Sequence, residues 1–168
     1  GSWRQVPTGS AIFGGGGGYD GAVVSLNCGG AFLEVENELF TPIPQTHSLE
    51  CLTAGDILQF TFDVTNSGLS DQPDNAGPEF VGSFTGPQTP ISCVATSGTC
   101  VLAGGQVEWN GAIAAGESVS FDIRSRVKGG TKAGVELCLR GTVNFDVGFG
   151  ENTQSEEFEL CTETNCVP

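Results

Sequence analysis

Apolar and polar side chains alternate along much of this chain, a pattern typical of β-strands that bury one face and expose the other. The clearest run is Ile57–Asn66, which predicts a strand with every second residue on its core face. That face carries Leu58, Phe60, Phe62 and Val64. The run ends at Asn66-Ser67-Gly68, whose residue types favour a turn.

Similar short runs precede and follow this strand. Gly21–Asn27 is a short apolar strand candidate, and Ala31–Phe40 alternates until Thr41–Gln45, whose prolines predict the end of that strand. The further predicted strands are residues 79–84, 90–96, 99–103, 106–110, 117–128, 135–147 and 155–161. Within residues 117–128 an irregularity is expected near Ser125. Many short strands separated by 26 glycines and 8 prolines predict an all-β sandwich or barrel.

The first 30 residues differ from the others, and we predict an N-terminal extension (1–30) before a β-sandwich domain (31–168). The extension contains the five-glycine run Gly14–Gly18, which is either a flexible linker or a stretch where backbones pack closely, as in a subunit contact. Apolar side chains in an extension need a surface on which to dock, so they are candidates for contacts between subunits. These candidates are Trp3, Ile12, Phe13, Val23, Val24 and Leu26.

The chain contains seven cysteines and a single histidine, His47, with no CxxC pair, so disulfides are favoured over a structural zinc site. Disulfides indicate an oxidising compartment and therefore a secreted protein. One of many connectivities pairs Cys93 with Cys100 across a Ser-Gly turn, Cys161 with Cys166, and Cys51 with Cys138. Cys28 is then left over, either unpaired or linking two subunits.

The formal net charge of −14 arises from twenty acidic residues against six lysines and arginines. A nucleic-acid-binding protein needs a basic surface, so that class is disfavoured, as is attachment to an anionic membrane. No apolar stretch of about 18 residues predicts a transmembrane helix. The start of the chain has neither an initiator methionine nor a signal sequence, which suggests a processed or trimmed form.

Several segments resemble conserved-repeat, immunoglobulin-like β-sandwich domains of bacterial and archaeal extracellular surface proteins. The similarity covers residues 31–147, and its first segment is Thr53–Gly68. Later segments that match are Val107–Asn110, Ala115–Ser120 and Gly141–Asn144. The chain departs from those repeats in its glycine-rich start, its extra cysteines and the region between Glu79 and Pro90. The resemblance implies an immunoglobulin-like antiparallel sandwich used as a spacer, stalk or polymer subunit, with no catalytic residues to carry over.

Candidate chemistry is sparse. Asp71, Asp74 and Glu79 crowd one loop and are a candidate calcium site, because Ca²⁺ prefers oxygen ligands; the alternative is a solvated loop. No other cofactor is expected. His47 lacks a nucleophile-elbow motif nearby and is predicted to lie at the surface. These features do not predict an enzyme.

Two functions follow from these observations. The first is a structural subunit of an extracellular filament or surface layer, in which the N-terminal extension adds as a strand to a neighbouring copy. The second is a monomeric adhesion or binding module of a cell-surface stalk, whose partner is a glycan or a surface protein. Both predict a secreted protein that neither binds nucleic acid nor inserts into a membrane.

Overall fold

The computed structural model describes residues 30–47, 51–147 and 153–165, together with the strand backbone of residues 3–5, 10–13 and 26–27. The three short segments are β1 (Trp3–Gln5), β2 (Ser10–Phe13) and β3 (Leu26–Asn27), which form an antiparallel sheet in the order β1-β2-β3. Within the described residues there is no helix that could cross a membrane.

Nine further strands are present in the described residues. They are β4 (Leu33–Ile43), β5 (Ile57–Asn66), β6 (Phe80–Thr85), β7 (Gln88–Ala95), β8 (Thr99–Ala103), β9 (Gln106–Asn110), β10 (Ser118–Val127), β11 (Glu136–Asp146) and β12 (Thr153–Glu163). They form a four-stranded sheet, β4-β5-β10-β7, and a five-stranded sheet, β12-β11-β6-β9-β8, both antiparallel. The predicted all-β sandwich is therefore confirmed, whereas its immunoglobulin-like classification stays a prediction.

The core lies between the two sheets and is rich in aromatic rings. Phe62 of β5 contacts Phe80, Phe121 and Phe158, with ring centroids 5.5, 5.0 and 5.3 Å away. Two of these partners, Phe80 and Phe158, come from the opposite sheet, so the rings join the layers. Trp109 packs edge-on against Phe121, and its indole N–H donates to the carbonyl of Ser97 at 2.7 Å. The alternation seen in the sequence thus buries one face of each inner strand.

The turn after β5 is held by the side chain of Asn66, which is fully buried. Its Oδ1 accepts hydrogen bonds from the N–H groups of Phe32 and Gly68 at 3.1 and 3.0 Å. Its Nδ2 donates to the carbonyls of Ser70 and Ile113, both at 2.9 Å. One side chain therefore joins the start of β4, the end of β5 and two loops.

The structure differs from one strand prediction, confirms a second and describes only part of a third. The first strand of the sandwich was expected to end at Thr41–Gln45, but β4 continues through Pro42 to Ile43. Proline is tolerated there because β4 is an edge strand, where a missing N–H removes no ladder bond on the open side. The irregularity expected near Ser125 is present as a register shift where β10 pairs with β7. Of Gly21–Asn27, only Leu26–Asn27 is a described strand.

His47 is half-buried rather than simply a surface residue, because its Nε2 lies 2.8 Å from Oδ2 of the buried Asp56. Asp56 also accepts hydrogen bonds from the backbone N–H groups of Gln45 and Thr53. Burial alone raises the pKa of Asp56, but the bonds from Gln45, His47 and Thr53 outweigh it, so its pKa falls below the usual 3.8.

A carboxylate whose pKa is lowered by folding stabilises the folded state above its unfolded pKa and loses that contribution as the pH falls through its folded pKa. We expect Asp56→Asn to destabilise the protein most above pH 3.8 and progressively less at lower pH. Chemical denaturation at several pH values measures this difference. Asp74→Asn, at an exposed position, is the control. A difference between Asp56→Asn and the unmodified protein that is constant from pH 2 to 6 would contradict the assignment.

Candidate assembly interface

The sandwich has four edge strands, each with one row of backbone groups that no described strand pairs. They are β4 and β7 in the four-stranded sheet, and β12 and β8 in the five-stranded sheet. An unpaired edge can accept a strand from another chain unless charge, proline or a bulge prevents it. The composition of the four edges therefore decides where such pairing can occur.

The β4 and β12 edges, which we call the acidic edges, carry features that oppose strand addition. β4 contains Glu34, Glu36 and Glu38, and its register with β5 shifts between Glu36 and Leu39. Asn37 within this bulge has a φ of 54°, the left-handed conformation that asparagine tolerates better than most residues. The glutamates of β12 are Glu156, Glu157, Glu159 and Glu163. A second acidic edge would be repelled from either strand.

The β7 and β8 edges, which we call the open edge, contain no charged residue. Among their residues, only Pro90 is of a type that interrupts pairing. Four apolar side chains are exposed along them: Ile91, Val94, Val101 and Leu102. Val94 is 60% exposed and Val101 is 44% exposed. Neighbouring exposed apolar side chains often mark a contact surface. The open edge is thus the surface most suited to receiving a strand.

A disulfide fastens the two strands of the open edge to each other. Cys93 of β7 and Cys100 of β8 are joined, as expected, with their Cα atoms 5.7 Å apart. Because β7 and β8 belong to different sheets, the bond crosses from one layer to the other. Such a link resists separation of the layers at the edge that a partner would use.

The other expected disulfide pairs are wrong. Cys138 is joined to Cys161, not to Cys51, because these two residues lie directly opposite on β11 and β12 with their Cα atoms 4.1 Å apart. Cys161 is therefore not available to Cys166. Cys51 is also disulfide-bonded. Cys28 and Cys166 lie outside the described residues.

The candidate contact residues of the extension are only partly described. Trp3 lies on β1, Ile12 and Phe13 lie on β2, and Leu26 lies on β3. Val23 and Val24 lie outside the described residues. The segments that carry the apolar residues of the extension are therefore able to form antiparallel strands, which is the conformation that strand addition requires.

The candidate calcium site is not assembled as expected. Both carboxylate oxygens of the buried Glu79 accept backbone hydrogen bonds, from Asn75 at 2.8 Å and from Gly111 at 3.0 Å. Asp71 accepts a bond from the N–H of Ala115, and the carboxylates of Asp71, Asp74 and Glu79 do not gather within ligand distance of one another. Glu79 is a structural residue that orders the loop before β6.

A different group of potential ligands lies on the outer face of β11 and β12. It comprises Glu136, Cys138, Glu159 and Cys161, whose ligand atoms lie within 4.8 Å of one another. Both sulfur atoms belong to the Cys138–Cys161 disulfide, so neither can act as a thiolate ligand. Arg140 forms ion pairs with both glutamates. The sequence pattern did not point to this group, because only the β11–β12 register brings its members together.

An open groove of about 560 Å³ lies beside this group on the outer face of the five-stranded sheet. Its polar lining is formed by Ser83, Gln106, Arg140, Thr142, Glu157 and Glu159. Arg140 is paired with Glu159 through an Nε–Oε1 hydrogen bond of 2.7 Å. The groove therefore offers neutral and acidic hydrogen-bonding groups rather than a free cation.

No protein-family model matches this chain, and no curated protein is similar to it. Among solved structures, the chain is similar to AvmM, described as catalysing macrocyclization in alchivemycin A biosynthesis. That similarity has a TM-score of 0.40 and 12% sequence identity, and covers 99% of this chain and 97% of the other. A likeness this weak assigns neither a fold family nor an activity.

Proposed function

We propose that this chain is a structural subunit of an extracellular filament or surface layer, and that its N-terminal extension adds as a strand to the open edge of a neighbouring copy. The observation that supports this most is the contrast between the edges. The acidic edges carry glutamates, whereas the open edge is uncharged and exposes apolar side chains, although it too has an irregularity, at Pro90 and Ile91. Natural sandwiches use charged residues to protect their edges from pairing, and this edge has none.

Strand addition in this proposal exchanges one set of backbone hydrogen bonds for another. In the described structure, Ile12 and Phe13 lie on β2, which pairs with β1 and β3 of the same chain. These three strands are only two to four residues long, and short isolated hairpins are marginally stable in water. Pairing with the open edge of a neighbour provides the same backbone bonds and, in addition, covers Val94 on β7 or Val101 on β8. Cys28 remains the candidate for a covalent link between copies.

The proposed location and role follow from the same features. The disulfides are compatible with an extracellular protein, because such bonds persist in oxidising compartments. We take the role to be structural rather than catalytic, and the partner to be another copy of this chain.

A single lysine on the open edge is expected to prevent assembly of the full-length chain. We expect Val94→Lys to abolish filaments if the strand is added to β7, and Val101→Lys to do so if it is added to β8, because a charged side chain on an edge strand opposes strand addition. Leu39→Lys is the matched control, since Leu39 on the acidic edge is 58% exposed and Val94 is 60% exposed. Negative-stain electron microscopy and sedimentation measure assembly, and circular dichroism checks that each variant is folded.

The control variant should assemble as the unmodified chain does. If Leu39→Lys blocks assembly while Val94→Lys and Val101→Lys permit it, the added strand uses the acidic edge and the proposal is wrong. Assembly of all three variants would exclude β4, β7 and β8 as the site of strand addition.

The groove on the five-stranded sheet favours a second candidate function, a monomeric carbohydrate-binding or adhesion module. Its polar lining of Ser83, Gln106 and Thr142 beside Glu157 offers the hydrogen-bonding groups that a neutral glycan would require. A glycan array separates the two functions. Specific glycan binding by a protein that stays monomeric at high concentration, and that is lost in Gln106→Ala, would favour the binding module.

A further inference from the structure

The two ends of the sandwich differ in charge. Following the strands, the β4–β5, β6–β7, β8–β9 and β10–β11 connections and the end of β12 all lie at one end. The β5–β6, β7–β8 and β9–β10 connections, together with the start of β4 and the end of β11, lie at the other. We call the first the basic end and the second the acidic end.

The basic end holds half of the lysines and arginines of the chain. Three of the six lie at the end of β10 and in the loop that follows it: Arg126, Lys128 and Lys132. All three are exposed, and within the described part of the chain none has a carboxylate partner within 4.0 Å. Arg126 donates to the carbonyl of Gly55, which directs its guanidinium toward this end.

Two exposed carboxylates, Glu136 and Glu163, share the basic end but belong to the five-stranded sheet. Glu136 lies 4.0 Å from Arg140. The buried Asp56 of the β4–β5 connection is also at this end, where His47 and two backbone N–H groups bond it. Of the exposed charges here, three positive ones and Glu163 have no ion pair in the described residues.

The acidic end carries carboxylates without a single lysine or arginine. Its acidic residues in the described connections are Asp71, Asp74, the buried Glu79, Glu117 and Asp146 at the end of β11. Residues 67–79, 96–98 and 111–117 contain no basic residue. Asp74 and Glu117 are exposed, and no hydrogen bond or ion pair of either side chain is present in the described residues. This end is available to a positively charged surface.

The extension leaves the sandwich at the acidic end. Gly30 accepts a hydrogen bond from Leu69, and Ala31 donates to the carbonyl of Asp146, so the chain enters β4 among the acidic loops. In a stack of copies, the extension therefore begins at the end that faces the basic end of the next copy.

We infer that copies of this chain stack end to end, the acidic end of one against Arg126, Lys128 and Lys132 of the next. The contact joins two different surfaces of the same molecule, so it repeats without closing and builds a filament unless the rotation closes a ring. The inference rests on the proposed self-assembly, but it concerns a contact separate from strand addition. Opposite charges held at the two ends orient successive copies in the same direction.

A charge exchange between the two ends tests this contact in the full-length chain. One variant, Lys128→Glu/Lys132→Glu, places two glutamates at the basic end; the other, Asp74→Lys/Glu117→Lys, places two lysines at the acidic end. In low salt we expect each variant alone to need about tenfold more protein for assembly, because like charges then meet at every junction. An equimolar mixture should assemble near the concentration of the unmodified chain, with the two variants alternating.

Salt and folding controls complete the experiment. In 1 M NaCl, where the Debye length falls to about 3 Å, the unmodified chain and both variants should differ by less than about twofold. Circular dichroism melting checks that the variants are folded, since none of the four side chains makes a hydrogen bond or ion pair in the described structure. Light scattering and electron microscopy measure assembly.

The outcomes separate this contact from the proposed function. If the unmodified chain forms filaments and each variant alone assembles equally well, or if the mixture fails to recover assembly, end-to-end stacking by charge is overturned while strand addition stands. If the unmodified chain stays monomeric under all conditions, both are overturned.

Discussion

Replacing Phe62 by alanine is expected to lower the free energy of unfolding by about 4 kcal/mol, since large-to-small changes in a packed core lose both transfer energy and contacts around the residual cavity. Phe62 is 1% exposed and contacts three aromatic rings, two of them across the interface between the sheets. Guanidinium denaturation followed by circular dichroism, with the disulfides intact, measures the loss.

The matched control for Phe62→Ala is Leu69→Ala. Leu69 is 65% exposed, so its removal should change the free energy of unfolding by less than about 0.5 kcal/mol. A loss below about 1.5 kcal/mol for Phe62→Ala would mean that the sheets are not packed through this ring.

Asn66→Ala is expected to lower the free energy of unfolding by about 3 kcal/mol, although it removes a polar side chain. The substitution leaves the N–H groups of Phe32 and Gly68 and the carbonyls of Ser70 and Ile113 without the side chain that now bonds them. A buried polar group that loses its partner keeps its full desolvation penalty, which is about 1–3 kcal/mol per group and is partly relieved where water enters.

Two further variants define the role of Asn66. Asn66→Asp keeps the oxygen that accepts from Phe32 and Gly68 but loses the two bonds that Nδ2 donates. A loss of stability in this variant should therefore show that the donated bonds, to the carbonyls of Ser70 and Ile113, contribute to folding. Ser67→Ala is the exposed neighbour, whose hydroxyl donates to Glu34 at 2.7 Å, and should change stability by less than about 0.5 kcal/mol. Equal stabilities of Asn66→Ala and Ser67→Ala would show that Asn66 is only a turn residue.

These two residues illustrate what alternation along a sequence can predict. The burial of Phe62 follows from its place in a period-two run, because neighbouring residues of a strand must face opposite sides. The strands at residues 99–103 and 106–110 were predicted for the same local reason. For Asn66 the sequence indicated only a turn, since its partners Phe32 and Ile113 are distant along the chain and meet it only after the sheets form.

The remaining differences also arise from long-range pairing. The Cys138–Cys161 disulfide follows from the register of β11 with β12, which a count of residues between cysteines does not reveal. The backbone role of Glu79 depends on Gly111, which belongs to another loop. The contrast between acidic and open edges depends on which strands end up at the margins of the sheets, a property of sheet order rather than of any one segment.

The open edge, the strand-forming extension and the unlike ends point to the same kind of assembly. In the proposed assembly, the uncharged edge receives a strand, the extension supplies one, and the charges orient successive copies. None of these features requires a catalytic residue or a bound cofactor.

A cryo-electron microscopy reconstruction of the assembled full-length chain tests the proposal most directly. We predict continuous density for an extension strand, including Ile12 and Phe13, paired along β7 or β8 of the adjacent copy. A reconstruction in which each extension pairs only within its own chain, or particles that remain single sandwiches at every concentration, would contradict it.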